Sequence, residues 1–233
     1  MTENPTGMHI SIEEWGEIIR KGIAPFDFSL TENQVWLFYQ HASALLQWTQ
    51  KINLTAITDP HEIAIKHFID SLGPAPLLTP MKNVLDIGSG AGFPGLPLKV
   101  LYPAIELTLL DAVRKKTSFM QYVIRTLGLK DVKVIHGRVE DLYRQGAIMT
   151  FDTIICRAFS DLSFIVTHAW PLLSKGGKIV VWKGRVPEKE IMAVRSRFQY
   201  ETWPLTIEMR SYRLPVIDAE RTIVVITKGR KKV

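Results

Sequence analysis

Four places in this chain end an apolar run on residues able to bind or react. In the first, Val84 and Leu85 lead into Asp86-Ile87-Gly88-Ser89-Gly90-Ala91-Gly92-Phe93-Pro94-Gly95, a carboxylate followed by four glycines. Glycine has no side chain, so such a turn can be tight and a ligand can lie against its backbone. The second is Asp111, 21 residues after Gly90. A carboxylate there could accept both hydroxyls of a ribose; aspartate also suits a helix N-cap, and both uses are compatible. The third is Val139-Glu140, where Glu140 could accept from an adenine amino group or serve only as a first-turn helix acid. The fourth is Arg157, which could hold a carboxylate or phosphate bidentately or be a surface arginine. Other chemistries fit poorly. The chain has no G-x-S-x-G elbow, no Walker loop and no Cys/His cluster at metal-ligand spacing. Its single cysteine, Cys156, ends an apolar run and reads as a small buried hydrophobe, not a nucleophile.

The glycine stretch reads two ways. Gly90-Ala91-Gly92-Phe93-Pro94-Gly95 satisfies the G-x-G-x-x-G dinucleotide pattern. Asp86 to Gly92 also resembles the D-x-G-x-G-x-G motif of S-adenosylmethionine (SAM) methyltransferases, which suits a ligand with an amino-acid end and no pyrophosphate. SAM is the preferred ligand; a glycine turn without any ligand is the bland alternative. Asp111 does not separate the two cofactors, since either carries a ribose. A helix from about Pro94 to Leu101 should aim its free N–H groups and positive dipole end at the ligand.

The elements between these places must bring them to one side. Strands are expected at 84–87, 105–110, 132–135, 151–156 and 177–182, with helices at about 113–127, 162–173 and 187–198 between them. Such alternation demands a parallel sheet covered on both faces. The carboxyl ends of its strands then share one crevice. Two last strands, 200–210 and 221–228, are joined by a loop, 212–220, and suit an antiparallel pair at one edge. Ahead of the sheet lie helices at 11–22 and 31–50, with Ser11 and Glu14 spaced as a capping box. A third helix from Asp59-Pro60 to about Leu72 carries His67 and Asp70 three apart on one face. They could bond locally or form a polar wall facing the glycine turn. Trp36, Tyr39 and Trp48 make an aromatic stripe that could stack on bases, although helical spacing more simply means core. Pro74, Pro76 and Pro80 suggest a stiff link, so residues 1–80 read as an N-terminal helical extension packed on a core of residues 81–233.

The 233 residues are 46% hydrophobic, enough for a sizeable core without disulfides. One cysteine fits a reducing compartment, the N-terminus lacks a signal-peptide apolar segment, and no run could span a bilayer, so a cytoplasmic protein is expected. Residues 183–233 hold 12 of the 29 Lys and Arg but 6 of the 23 Asp and Glu, so the whole net charge of +6 lies there. The run Lys228-Gly229-Arg230-Lys231-Lys232 is either a solvated tail or a footprint for a polyanion such as RNA.

Four stretches, in this order and spacing, resemble the bacterial small-subunit ribosomal RNA guanine-N7 methyltransferase family, also called glucose-inhibited division protein B: Lys51-Ile52-Asn53-Leu54-Thr55, Lys66-His67-Phe68-Ile69-Asp70-Ser71, Asp86 to Gly95, and Arg157-Ala158-Phe159. The resemblance covers roughly residues 30–228. It implies a Rossmann-like methyltransferase fold, a mostly parallel seven-stranded sheet with an antiparallel edge pair plus N-terminal helices. It implies SAM contacts at Gly88, Phe93, Val139, Glu140 and Arg157, Asp111 at the ribose, and a guanine of a 16S RNA loop as acceptor; the glycine turn itself adds Gly90 as part of the expected cofactor cradle. The partner would be 16S RNA or the small subunit, met by a monomer. Guanine N7 has a lone pair and no proton, so positioning matters more than a base. Arg157, Phe159 and Asp161 are candidates to position it, and Asn53, His67 and Lys183 to face the RNA. The residues leave two rivals: an NAD-dependent oxidoreductase, and an RNA-binding module with an inactive cofactor fold.

Overall fold

The computed structural model describes residues 7–144, 149–157, 161–184, 186–198 and 204–229. Seven strands form one sheet: β1 (Asn83–Ile87), β2 (Glu106–Asp111), β3 (Val132–His136), β4 (Phe151–Arg157), β5 (Leu173–Lys183), β6 (Leu205–Leu214) and β7 (Ala219–Lys228). Their order is β3-β2-β1-β4-β5-β7-β6, with β1 to β5 parallel and β7 antiparallel to both β5 and β6. The chain winds outward from β1 to β3, then returns to lay β4 on the other side of β1. The crevice between the carboxyl ends of β1 and β4 is therefore the topological switch point, where ligands of open α/β sheets sit.

The central strands are apolar along their length because both faces are covered. Val84, Leu107, Leu109 and Ile155 face one core, which the N-terminal helices complete with Trp15, Phe38 and Phe68 and helix Arg114–Thr126 with Phe119. Leu85, Ile87, Leu110, Ile154 and Cys156 face the other, closed by helices Leu162–Ala169 and Glu188–Phe198. Cys156 is fully buried, and burial pushes its thiol pKa up, as expected of a small hydrophobe. Among the described residues no helix is long and apolar enough to cross a membrane.

Three N-terminal helices pack on the sheet: α1 (Ile12–Ile23), α2 (Glu32–Thr49) and α3 (60–72). The Ser11 hydroxyl accepts the Glu14 N–H at 3.1 Å, and the full reciprocal capping box forms at Thr31 and Gln34. α3 starts on Asp59, whose carboxylate accepts the Glu62 N–H at 2.8 Å, and its middle, Ala64–Ile69, is wound as π helix. The proline link contains one helical turn, Ala75–Leu78, with Ala75 and Leu78 buried.

Three expectations need correction. The helix expected over 162–173 stops at Ala169 and passes through a 3-10 turn, Trp170–Leu172, because Pro171 has no N–H to continue it. β5 starts at Leu173, not Gly177, with a register shift against β4 between Phe151 and Thr153. The expected loop over 212–220 is a turn of four residues, 215–218. Pairing runs on to Arg213↔Glu220 and Leu214↔Ala219, and the Arg213–Asp218 ion pair crosses the turn. The start of β6 expected at Tyr200 lies outside the described residues.

Candidate functional site

At the switch point the glycine turn is cross-linked to the end of β2. The N–H groups of Gly88 and Ser89 both donate to the Leu110 carbonyl, at 2.8 and 3.1 Å. Asp111 continues the brace: Oδ2 accepts the Gly90 N–H at 2.9 Å and Oδ1 the Val113 N–H at 2.8 Å. The carboxylate therefore ties the turn to the backbone at Val113; it is not the N-cap of helix Arg114–Thr126, which is Val113 and has no side-chain capping bond. Gly90 has φ of 59°, which a side chain disfavours, and a Cβ there would meet open space, its nearest neighbour being the Gly88 carbonyl at 3.9 Å. Gly95 is required for a different reason. A Cβ on it would fall 2.6 Å from Asp86 Oδ2 and 2.7 Å from Leu109 Cδ2, so it lets helix Gly95–Leu101 lie directly on the sheet.

That helix does not aim free N–H groups at a ligand, contrary to the sequence expectation. Gly95 donates to Asp86 Oδ2 at 2.9 Å, Leu96 to the Gly92 carbonyl at 2.8 Å and Leu98 to the Pro94 carbonyl at 3.2 Å, while Pro94 and Pro97 have no N–H. Asp86 is the buried anchor of this arrangement. Its Oδ1 has no hydrogen-bond partner among the described residues, and burial raises its pKa to about 7.

A cavity of about 460 Å³ opens beside the turn, lined by Gly88, Asp111, Val139, Glu140 and Arg157 among others. Five of the seven predicted cofactor residues thus share one space. Gly90 and Phe93 do not line it. The Phe93 ring, 4% exposed, is stacked between His41 (centroids 4.7 Å, planes 6° apart) and His67 (4.8 Å, 16°). It is core packing behind the turn. A larger cavity, about 590 Å³, lies by Asn83, Glu106 and Asp131 at the amino ends of the strands, away from the switch point.

Arg157 forms the boundary of a second cavity, about 330 Å³, lined by Lys66, His67, Asp70, Trp182, Lys183 and Arg221. Its guanidinium reaches back to α3. Nη1 donates to the carbonyls of Lys66 (3.2 Å) and His67 (3.3 Å) and to Ser71 Oγ (3.2 Å), and lies 3.5 Å from Asp70 Oδ2. A π turn bonds residues five apart and so displaces carbonyls from the usual ladder, which leaves Lys66 and His67 able to accept. The expected bidentate grip on a ligand is thus only partly available, since Nη1 is engaged with protein. His67 and Asp70 are not bonded to each other; Arg157 joins them.

The tautomer of His67 follows from its neighbours. Arg157 Nη2 can only donate, and it lies 3.3 Å from Nδ1, so Nδ1 accepts. The proton is then on Nε2, which donates to Thr55 Oγ1 at 3.1 Å. Burial, with the Arg157 charge second, lowers the pKa to about 3, so His67 is a neutral tie between α3 and the 51–57 loop. His41, lowered by burial to about 4, donates its Nε2–H to the Ala91 carbonyl at 2.9 Å.

Asp70 gathers the remaining polar groups. Its Oδ1 accepts from Tyr212 OH (3.0 Å) and Arg221 Nε (3.1 Å), and its carbonyl from Trp182 Nε1 (3.0 Å). Burial, reinforced by this carboxylate, pushes the Tyr212 pKa up. Lys183 pairs with Glu190 at 2.7 Å and Lys66 with Glu62 at 2.6 Å. Asn53 is exposed in the loop that Thr55 ties to His67 and lines neither cavity. Asp161 caps helix Leu162–Ala169, accepting the N–H groups of Ser163 (2.8 Å) and Phe164 (3.3 Å). Phe159 lies outside the described residues. Arg221, Trp182 and Tyr212 were missed from sequence. Only the antiparallel register that sets Lys183 against Thr222 brings Arg221 here, and no local spacing signals that.

The family model described as rRNA small subunit methyltransferase G matches residues 34–213. A ribosomal RNA small subunit methyltransferase G of Geobacter sulfurreducens is 40% identical, covering 90% of this chain and 95% of its own. The Lactococcus lactis protein of the same name is 36% identical, covering 90% and 89%. Solved structures share the fold at low identity. Pyrococcus horikoshii TYW2 in complex with MeSAdo gives a TM-score of 0.55 at 11% identity, covering 69% of this chain and 62% of that one. A methyltransferase from Pyrococcus furiosus gives 0.51 at 14%, covering 67% and 79%. The sheet order with its antiparallel C-terminal pair, the glycine turn at the switch point and these relatives together place the chain in the rRNA small subunit methyltransferase G family.

Proposed function

We propose that this protein transfers the methyl group of SAM to N7 of a guanine in 16S ribosomal RNA. One observation carries the reading: Arg157 borders both the glycine-turn cavity and the basic cavity, so a cofactor in one and a base in the other are neighbours. The relatives' shared name supports a small-subunit ribosomal RNA as acceptor.

The first cavity suits SAM. Its volume is in the range of small-ligand sites, and Gly88 of the glycine turn lines it, so a ligand there would lie against the turn's backbone. Asp111 would take the ribose hydroxyls, with Val139 and Glu140 at the adenine and Gly88 and Arg157 toward the amino-acid end. A dinucleotide suits it less, because the N–H groups at the start of helix Gly95–Leu101, which would hold a pyrophosphate, are spent on Asp86 and on backbone carbonyls. Bound SAM supplies an electrophilic methyl carbon.

The chain's own residues then have to bind and orient the acceptor. Lys66, Lys183 and Arg221 would receive the phosphates around the target nucleotide, each already steadied by a carboxylate. Guanine N7 reacts through a lone pair and releases no proton, so a neutral His67 and engaged arginines are no handicap. The purine gains positive charge as it reacts, and the Asp70 carboxylate offers compensation nearby. The target base must leave its stack, which favours a loop or bulge. On this reading the protein works as a cytoplasmic monomer.

The test is methyl transfer from labelled SAM to purified 30S subunits and to bare 16S RNA, with the modified base mapped. A single N7-methylguanine is expected. SAM bound tightly with no transfer to either substrate would leave an RNA-binding module with an inactive cofactor fold.

A further inference from the structure

The aromatic stripe of α2 divides in the structure. Trp48 packs inward against Phe119 (5.5 Å) and Tyr122 (5.3 Å). Trp36 remains 46% exposed, stacked on Tyr39 at 6.4 Å with planes 14° apart. Tyr39 is fixed from behind: its hydroxyl donates to the Ile10 carbonyl at 3.1 Å and its ring meets Trp15 edge-on at 5.9 Å. Trp36, Tyr39, Gln40 and Gln47 of α2 face Tyr122 and Thr126 of helix Arg114–Thr126 across a cleft of about 240 Å³. The cleft shares no lining residue with the two cavities of the candidate site.

Charge indicates the occupant. Helix Arg114–Thr126 carries Arg114, Lys115, Lys116 and Arg125 and no acid, and Lys130 follows it. Arg114, Lys115 and Arg125 are exposed. On α2 the one acid is Glu32, which Arg20 pairs at 2.5 Å. Lys116 also lines the glycine-turn cavity, so the basic helix runs from that cavity to the aromatic cleft. A flat aromatic wall, amide groups able to pair with a base edge, and a rim of exposed cations along the acid-free helix Arg114–Thr126 are what an unstacked base with its flanking phosphates requires, while the carboxylate of Glu13 on α1 acts on Tyr39 at the other wall. A hydrophobic protein segment would not need the rim.

We propose that this cleft binds an unpaired base of the RNA substrate, stacked on Trp36 and Tyr122, while Lys115 and Arg125 take the adjoining phosphates. The proposal rests on the RNA-methyltransferase reading and adds a second contact to it, away from the reacting base.

The experiment compares wild type, Trp36→Ala and Trp36→Phe. KM and kcat are measured for methylation of bare 16S RNA, and affinity for a short unstructured oligoribonucleotide by fluorescence anisotropy. Loss of one stacked base should raise both KM and the oligonucleotide Kd roughly tenfold in Trp36→Ala, with a smaller effect on kcat, and Trp36→Phe should recover most of it. Values within about twofold of wild type, in a variant that binds SAM normally, would overturn the cleft. So would a loss seen with 30S subunits but not with bare RNA, which would make the occupant a ribosomal protein. If wild type methylates no RNA, the proposed activity fails separately, and the oligonucleotide affinity still decides the cleft.

Discussion

Asp86 is the residue on which the turn hangs, and it is held at a cost. Its carboxyl is fully buried, accepts one N–H from Gly95 and has a pKa raised from 3.8 to about 7, chiefly by burial. A carboxyl whose folded pKa is raised is most favourable to folding below its unfolded pKa. Between pH 3.8 and 7 the unfolded chain gives up its proton first, so stability falls as pH rises, and above 7 the full cost remains. Asp86→Asn keeps an acceptor for Gly95 and removes the charge. Its unfolding free energy, relative to wild type, should therefore be most favourable at pH 8 and lose about 2 to 3 kcal/mol of that advantage by pH 5. Urea titrations at the two pH values measure it. A difference that does not change with pH would mean Asp86 is already ionised in the folded protein. The pattern D-x-G-x-G-x-G marked this residue but not its role. Only the observed bond to Gly95 shows that the acid and the fourth glycine form one unit, the absent Cβ making room for the carboxylate.

At the scale of elements, α3 is the part that joins the two halves of the site. Arg157 at the end of β4 holds the carbonyls of its π segment, and Asp70 at its end holds Arg157, Arg221 and Tyr212. Asp70→Ala would leave two arginines, with side chains 14% and 26% exposed, without their carboxylate. Breaking one partner of a largely buried pair is costly, so the variant should lose about 3 kcal/mol. It should also lose affinity for RNA more than for SAM, because Arg221 lines the second cavity alone. Denaturant unfolding beside the two binding measurements checks both, and a stability change under about 1 kcal/mol would make the cluster a surface network. This junction also marks where sequence reasoning stops. Parallel strands could be read because burial on both faces makes them continuous apolar runs, and their following residues could be assigned to one crevice by topology alone. The π turn could not, since Ala64 to Ile69 has ordinary helical composition. Nor could Arg221, which reaches the site through the pairing of β5 with β7 across more than one element.

For the molecule as a whole, several of the positive charges of residues 183–233 are paired within the fold. Arg210 pairs with Glu208, Arg213 with Asp218 and Lys183 with Glu190. Lys228, counted in sequence as the start of the basic tail, instead belongs to the fold. Its ammonium donates to the carbonyls of Trp170 (3.0 Å) and Leu173 (3.1 Å) and lies 5.0 Å over the Trp170 ring, fastening the end of β7 to the start of β5. A deletion meant to test the tail should therefore spare Lys228 and remove residues 230–233, which takes away Arg230, Lys231 and Lys232. If these three contact phosphates, each releases counterions on binding, and the slope of log affinity for 16S RNA against log salt should flatten by up to about 2 to 3. Affinity at low salt should fall while the thermal midpoint stays that of the full chain. An unaltered slope would make the end of the chain a solubility device and would assign the RNA contacts to the second cavity and the basic helix beside the aromatic cleft.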